Sequence, residues 1–181
     1  MPIFTIGHSN RTIEAFVALL READVDLVID VRASPGSRYN PQFNGGTLKA
    51  SLAAADVAYR HMPDLGGRRG SGPIVSPNGH WPEGAFRNYA DHATTPEFRA
   101  ALDQVVQQAA RRRPAVMCAE ADWQHCHRRI IADYLLAADH EVRHIRGPGD
   151  IEPARLDPAA ERRADGSLVY PPAQDELPLF G

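Results

Sequence analysis

Cys118, Glu120, Cys126, His127 and Arg128 fall within one short span of the chain, and both cysteines of the protein lie in it. These residue types can do three kinds of chemistry. A thiolate is a nucleophile, a carboxylate is a general acid or base, and an arginine grips an oxyanion with two hydrogen bonds. Comparable groups stand elsewhere, at His8 and Ser9, at Arg32 and Ser34 with Phe43 beyond them, and at Gly66, Gly67 and Arg68. Arg32, Arg68 and Arg128, with His8 and His127, would form an anion cradle. The free N–H groups of a helix starting near Cys126 would add to it. Glycines at 66 and 67 let the backbone approach a ligand closely. The alternative is that these arginines pair with Asp30, Glu120 and Asp122 and only tie loops together.

Catalytic candidates are Glu120, His8 and Cys118. Glu120 is the stronger carboxylate, because Asp30 sits inside a strand. Cys118 ends a strand, where it can equally be a small core residue. Cys126 stands at a helix start, a position that lowers a thiol pKa. Its sequence neighbour His127 is not expected to face it, because adjacent helical residues point apart. A Cys–His pair would instead use His8 or His125. Cys118, Cys126 and His127 do not have the spacing of standard zinc ligands, and neither metal nor cofactor is expected.

The elements that must position these groups follow from the apolar pattern. Ile3–Gly7 reads as a first strand, and Ile13, Phe16, Val17 and Leu20 mark one face of a helix. Asp26–Val31 and Val57–Met62 read as further strands, and Ala115–Met117 as the central one, entered through Pro114. Helices are expected over 47–55, over 83–92, after Thr95-Pro96, and from Ile130 onward. Glu141–Arg146 is expected as a last strand at a sheet edge. Alternating strands and helices predict an α/β domain over residues 1–146, a mostly parallel, Rossmann-like sheet flanked by helices. Right-handed crossovers put every strand exit on one edge, where ligands bind in such sheets. One shared site is therefore expected to hold His8, Arg32, Arg68, Glu120 and Arg128. Residues 147–181 are rich in proline and charge and read as an irregular C-terminal tail.

A chain of 181 residues, 43% hydrophobic and 24% charged, has the composition of one soluble domain. Its formal net charge of −3 gives no general attraction to nucleic acid, so any basic surface must be local. Nineteen of the twenty basic residues are arginine, Lys49 being the exception. No signal peptide or membrane-spanning run is visible. A cytoplasmic protein with reduced thiols is expected.

Four motifs in order carry a resemblance. Thr5-Ile-Gly-His-Ser9, Asp30-Val-Arg32 with Pro35 and Ser37, Leu65-Gly-Gly-Arg68, and Cys118-Ala-Glu120 with Cys126-His-Arg128 resemble the domain of unknown function 488 family, found in bacteria and archaea. The resemblance runs from about Pro2 to Arg146 and implies that these motifs form the family's common site. Leu27–Arg32 is also similar to the opening strand of rhodanese domains. Their cysteine loop closes with an arginine, which Cys118–Gln124 lacks.

The expected function is that of an enzyme acting on a nucleotide or nucleic-acid component, at a glycosidic or phosphoester bond. Tyr39, Phe43 or Trp123 would stack on a base. A non-catalytic nucleotide- or anion-sensing module and a rhodanese-like thiol enzyme are the alternatives. Gln174-Asp-Glu-Leu-Pro-Leu-Phe180 resembles the peptides by which bacterial repair and replication proteins bind the DNA sliding clamp. Gln174, Leu177, Leu179 and Phe180 would make that contact, although Glu176 stands where the five-residue form has glutamine.

Overall fold

The computed structural model describes residues 1–70 and 72–173. Six strands form one sheet in the order β3-β2-β4-β1-β5-β6. They are β1 (Ile3–Gly7), β2 (Leu27–Asp30), β3 (Ala58–His61), β4 (Pro114–Cys118), β5 (Val142–Gly147) and β6 (Asp150–Pro153). The first five run parallel, and β6 returns antiparallel to β5. Five helices accompany them among the described residues: α1 (Ile13–Glu22), α2 (Gly45–Ala54), α3 (Ala85–His92), α4 (Pro96–Ala109) and α5 (Arg128–Ala137). The fold is thus the expected α/β sheet flanked by helices. None of these helices is long and apolar enough to cross a membrane.

The helices start where local chemistry favours it. The Thr12 hydroxyl accepts from the Ala15 N–H at the head of α1. Thr95 does the same for Phe98 at the head of α4, with Pro96 in the first turn.

Strand alternation divides the core in two. Ile3, Leu27, Ile29, Val116 and Cys118 face α3, α4 and α5, and pack with Tyr89, Phe98, Val105 and Ile130. Phe4, Ile6, Val28, Ala115 and Met117 face α1 and α2, and pack with Phe16, Phe43 and Leu48. Each large apolar side chain buried this way contributes about 1.5–3 kcal/mol. The alternation also decides which polar residues can meet at the strand ends. Thr5 and Cys118 go to the α5 face, and Asp30 goes to the α1 and α2 face.

Two expectations need correction. β5 is not at the edge, because β6 pairs with it there. The described part of the C-terminal segment, up to residue 173, is attached to the domain and not a free tail. After β6 it forms a small antiparallel pair, β7 (Glu161–Arg162) and β8 (Leu168–Val169), and it is latched onto α5. The Asp157 N–H donates to Asp133 Oδ1 at 2.9 Å, and Arg129 Nη2 donates to Asp157 Oδ2 at 2.6 Å. Tyr170 is fully buried, and its hydroxyl donates to Asp133 Oδ2 at 2.8 Å. Low apolar content made the segment resemble a tail, but three adjacent residues, Leu168, Val169 and Tyr170, supply the anchor. Gln174, Leu177, Leu179 and Phe180 lie outside the described residues.

Asp133 makes this latch sensitive to pH. Burial raises its pKa to about 6, against the opposing pull of the Asp157 N–H and the Tyr170 hydroxyl. An ordinary carboxyl titrates near about 3.9, so between these values the folded protein binds the proton and the unfolded chain does not. The stabilisation is present below the lower value and is lost as pH rises through the upper one. Asp133→Asn should therefore gain on wild type by on the order of 2 kcal/mol between about pH 4 and 7. Urea unfolding at a series of pH values checks this, and parallel curves for the two proteins would refute it.

Candidate functional site

Four parallel strands end on one edge, and their exit loops enclose a cleft of about 740 Å³. β1 delivers His8, Ser9 and Asn10. β2 delivers Arg32, Ser34, Ser37 and Asn40. The turn after β3 delivers Gly67 and Arg68. β4 delivers Cys118, Glu120, Cys126 and His127, and Phe86 of α3 completes the wall. The β1 and β4 exits are stitched together, with His8 N–H donating to Cys118 O and Ser9 N–H to Ala119 O, both at 2.9 Å. Ser9 takes a left-handed backbone, φ 49°, to make this turn. Gly7 must lack a side chain, because a Cβ there would lie 1.7 Å from the Glu120 carbonyl oxygen. A Cβ on Gly67 would lie 2.5 Å from His127 Nδ1.

On one side of the sheet edge, Asp30 organises Arg32. Asp30 Oδ1 accepts from the Arg32 N–H and Nε, and Oδ2 accepts from Arg32 Nη2 at 2.7 Å and from the Tyr59 hydroxyl at 2.8 Å. Arg32 Nη2 also donates to the Phe43 carbonyl. Arg32 Nη1 donates to His8 Nε2 at 3.3 Å, since a guanidinium has no lone pair to offer. His8 therefore carries its proton on Nδ1 and donates it to the Ser9 carbonyl at 2.8 Å. Its ring stacks on Phe43, with centroids 4.4 Å apart. Burial holds His8 below the ordinary imidazole pKa. The positive Arg32 works in the same direction, and the Ser9 carbonyl opposes it. His8 is a neutral ring with a set tautomer.

On the other side, Arg128 is buried with only 1% of its surface exposed. Its Nη2 donates to the carbonyls of Glu120 at 2.6 Å and Ala121 at 3.4 Å, and Nη1 donates to Thr5 Oγ1 at 3.3 Å. Thr5 Oγ1 is also hydrogen-bonded with His144 Nδ1 at 2.7 Å. Burial and the nearby Arg128 charge hold His144 down at about 4, so it is neutral. No carboxylate reaches Arg128 among the described residues. The counter-charge is sulfur: Cys126 Sγ accepts from the Arg128 backbone N–H at 3.5 Å and from its Nε at 3.4 Å, with His127 Nδ1 at 3.6 Å. Burial alone would push the Cys126 thiol up. The hydrogen bond with His127, the neighbouring Cys118 thiol and the charge of Arg128 outweigh it and hold Cys126 well below the ordinary thiol value. Cys118 goes the other way, pushed up by burial and by the neighbouring Cys126. It remains a thiol and donates to the Glu120 carbonyl at 3.8 Å.

His8, Ser9, Arg32, Ser34, Gly67, Arg68, Cys118, Glu120, Cys126 and His127 all line the cleft, as their strand-exit positions predicted. Three expected residues do not. Phe43 is fully buried beneath His8, so it supports the site and stacks on no ligand. Gly66 packs against Ala33, and Arg128 points into the protein. The three-arginine cradle is thereby reduced. Arg32 is neutralised by Asp30, Arg128 by Cys126, and only Arg68 is exposed in the cleft without an ion pair among the described residues. Trp123 is engaged with His144, centroids 4.2 Å apart, and with Glu152. Cys126 and His127 do face each other, because Cys126 precedes α5 in an extended conformation where helical spacing does not apply. Asn10, Asn40 and Phe86 were not assigned to the site; loop polarity alone does not say which side chains turn inward. No three His, Cys, Asp or Glu side chains among the described residues converge as metal ligands do.

Arg128 ties β1, the β4 exit and α5 together, so its loss should be costly. Removing one partner of a buried ion pair strands the other, at about 3–5 kcal/mol. Arg128→Met should lose that much in urea unfolding, while exposed Arg68→Ala should stay within about 0.5 kcal/mol of wild type. Equal midpoints for the two variants would show that Arg128 is no tie.

The family model described as a domain of unknown function, DUF488, matches residues 12–135. No curated protein and no solved structure matches the chain significantly. The matched span takes in Arg32, Gly66 to Arg68 and the whole of Cys118 to Arg128; His8 and Ser9 stand just before it. The chain belongs to the family of domain of unknown function DUF488.

Proposed function

We propose that the cleft binds a nucleotide or a nucleic-acid component and acts on its phosphoester or glycosidic bond. One observation carries the reading. Four strand exits pool their polar side chains in a single cleft, and two charged groups there are uncommitted among the described residues: the guanidinium of Arg68 and the carboxylate of Glu120. A volume of about 740 Å³ suits a small-molecule site. Arg68 is the phosphate grip, able to offer a planar pair of N–H donors. Ser9, Asn10, Ser34, Ser37 and Asn40 supply donors and acceptors for sugar and base. Glu120 is the general acid or base. His8 and Cys118 hold the walls in place, since the His8 ring nitrogens and the Cys118 thiol all have partners.

Binding and catalysis separate in two variants. Arg68→Ala should weaken binding of a nucleoside monophosphate by roughly 1.5–3 kcal/mol, the worth of a charge-assisted contact. Glu120→Gln should leave binding within a factor of about two and abolish turnover. Calorimetry with a panel of nucleotides and short oligonucleotides, followed by product analysis, checks both. No binding to any of them would reject the proposal, and binding with no turnover in wild type would favour a sensing module.

The link to DNA maintenance rests on Gln174, Leu177, Leu179 and Phe180, whose pattern suits an apolar clamp groove. A fluorescent peptide covering Tyr170 to Gly181 should bind the sliding clamp with micromolar affinity, about −8 kcal/mol. Leu179→Ala with Phe180→Ala should abolish that binding. An inert wild-type peptide would remove the clamp from the proposal.

A further inference from the structure

The proposed nucleotide chemistry leaves the two cysteines unused, although both line the cleft. Their surroundings are unusual for core cysteines. Arg128 is buried without a carboxylate partner among the described residues, and it donates twice to Cys126 Sγ. A buried guanidinium needs a counter-charge, and a thiolate at Cys126 provides it. Cys118 lies beside the same guanidinium and next to Cys126, with its own hydrogen on the Glu120 carbonyl. A separate feature points to a ligand at this spot. His127 Nε2 is buried, has no hydrogen-bond partner among the described residues, and belongs to a residue of the cleft wall. That ring nitrogen is an unmet hydrogen-bonding group, suited to pair with a small incoming hydroxyl, which can both donate and accept.

We infer that Cys126 is a thiolate nucleophile that reduces a hydroperoxide in the cleft, and that Cys118 is its resolving thiol. Cys126 Sγ attacks the hydroxyl oxygen of the peroxide, whose O–H group pairs with His127 Nε2. An S–O bond forms, the O–O bond breaks, and the far oxygen departs as an alkoxide (hydroxide when the substrate is hydrogen peroxide), which takes up one solvent proton and leaves as an alcohol or water. Cys126 is now a sulfenic acid. Cys118 then attacks the Cys126 sulfur, the S–O bond breaks, and the sulfenic hydroxyl leaves as water with the Cys118 proton. The two sulfurs lose two electrons to form a disulfide, and the peroxide gains them.

The charged and titratable groups around Cys126 support this assignment from every side. Cys118 comes from β4, His127 and Arg128 from the start of α5, Tyr89 from α3 and His144 from β5. Arg128 and His127 favour the thiolate. His144 is neutral, and Tyr89 is held well above its ordinary value, first by burial and then by the Cys126 charge, so it stays a neutral phenol.

The test uses the full chain. Wild type at about pH 6, below the usual thiol range near about 8.5, should show thiolate ultraviolet absorbance from one cysteine. Iodoacetamide at that pH should modify Cys126 at least about tenfold faster than Cys118, as mapped by mass spectrometry. Hydrogen peroxide should convert wild type to a Cys118–Cys126 disulfide. Cys118→Ser should stop at a dimedone-trappable sulfenic acid on Cys126, and Cys126→Ser should give neither product. Circular dichroism checks that each variant is folded; the wild-type measurements stand even if Cys126→Ser is not. Labelling that favours Cys118, or no thiolate at about pH 6, would overturn the inference. So would a peroxide product other than this disulfide. None of these readouts involves a nucleotide, so the two proposals fail separately.

Discussion

A buried guanidinium sets the terms for this fold. Arg128 has no carboxylate beside it among the described residues, so its charge is balanced by sulfur and dispersed onto backbone oxygens. Each of those bonds comes from a different part of the chain. Thr5 lies in the first strand, Glu120 and Ala121 in the loop leaving the fourth, and Cys126 just before the last helix. One planar group with its donors in a set fork thus defines where three segments meet. The loop from Ala119 to His127 has little apolar surface of its own, and its course over Gly7 is held by this arginine and by two backbone bonds to β1.

The sheet's alternation then separates the cleft into two chemistries. Residues one apart on a strand point to opposite faces, so Thr5 and Cys118 join Arg128 while Asp30 joins Arg32, Tyr59 and His8. The two assemblies meet only at the strand ends. On the Asp30 side every hydrogen-bonding position of the carboxylate, and both ring nitrogens of His8, are occupied. That side holds shape. On the Cys126 side two sulfurs remain at the cleft wall, beside a His127 Nε2 that has no partner among the described residues.

Much of this was legible beforehand. Parallel strands were visible as apolar runs, and their exits had to share an edge, so ten of the expected site residues line one cleft. What sequence could not give was direction and partnership. Arg32 looks like an anion ligand until Asp30, two residues earlier, is seen to fold back on it across the strand end. Arg128 looks solvent-facing because it follows Cys-His at a helix start, but the helix presents it to β1. Helical spacing predicts that Cys126 and His127 point apart, but Cys126 is extended and stands before the helix, where that spacing does not hold. Average composition hides the attachment of Tyr170, because a few well-placed anchors hold a segment that is polar overall.

Arg32 and Arg128 solve the same problem differently. Both are nearly buried cations at a strand-exit cleft, with 7% and 1% of their surface exposed. Asp30 serves Arg32 as counter-ion, with four accepted bonds and no chemistry left over. A carboxylate would serve Arg128 as well on electrostatic grounds alone, and it would be harder to protonate and impossible to oxidise under mild conditions. A thiolate in that place adds one property a carboxylate lacks: it is a soft nucleophile whose charge depends on the arginine beside it. Oxidation to a disulfide would cancel that charge and leave Arg128 without its counter-ion. The same reaction that consumes the thiolate therefore loosens the tie among β1, the β4 exit and α5. Chemistry at Cys126 and the stability of the cleft are coupled through a single ion pair.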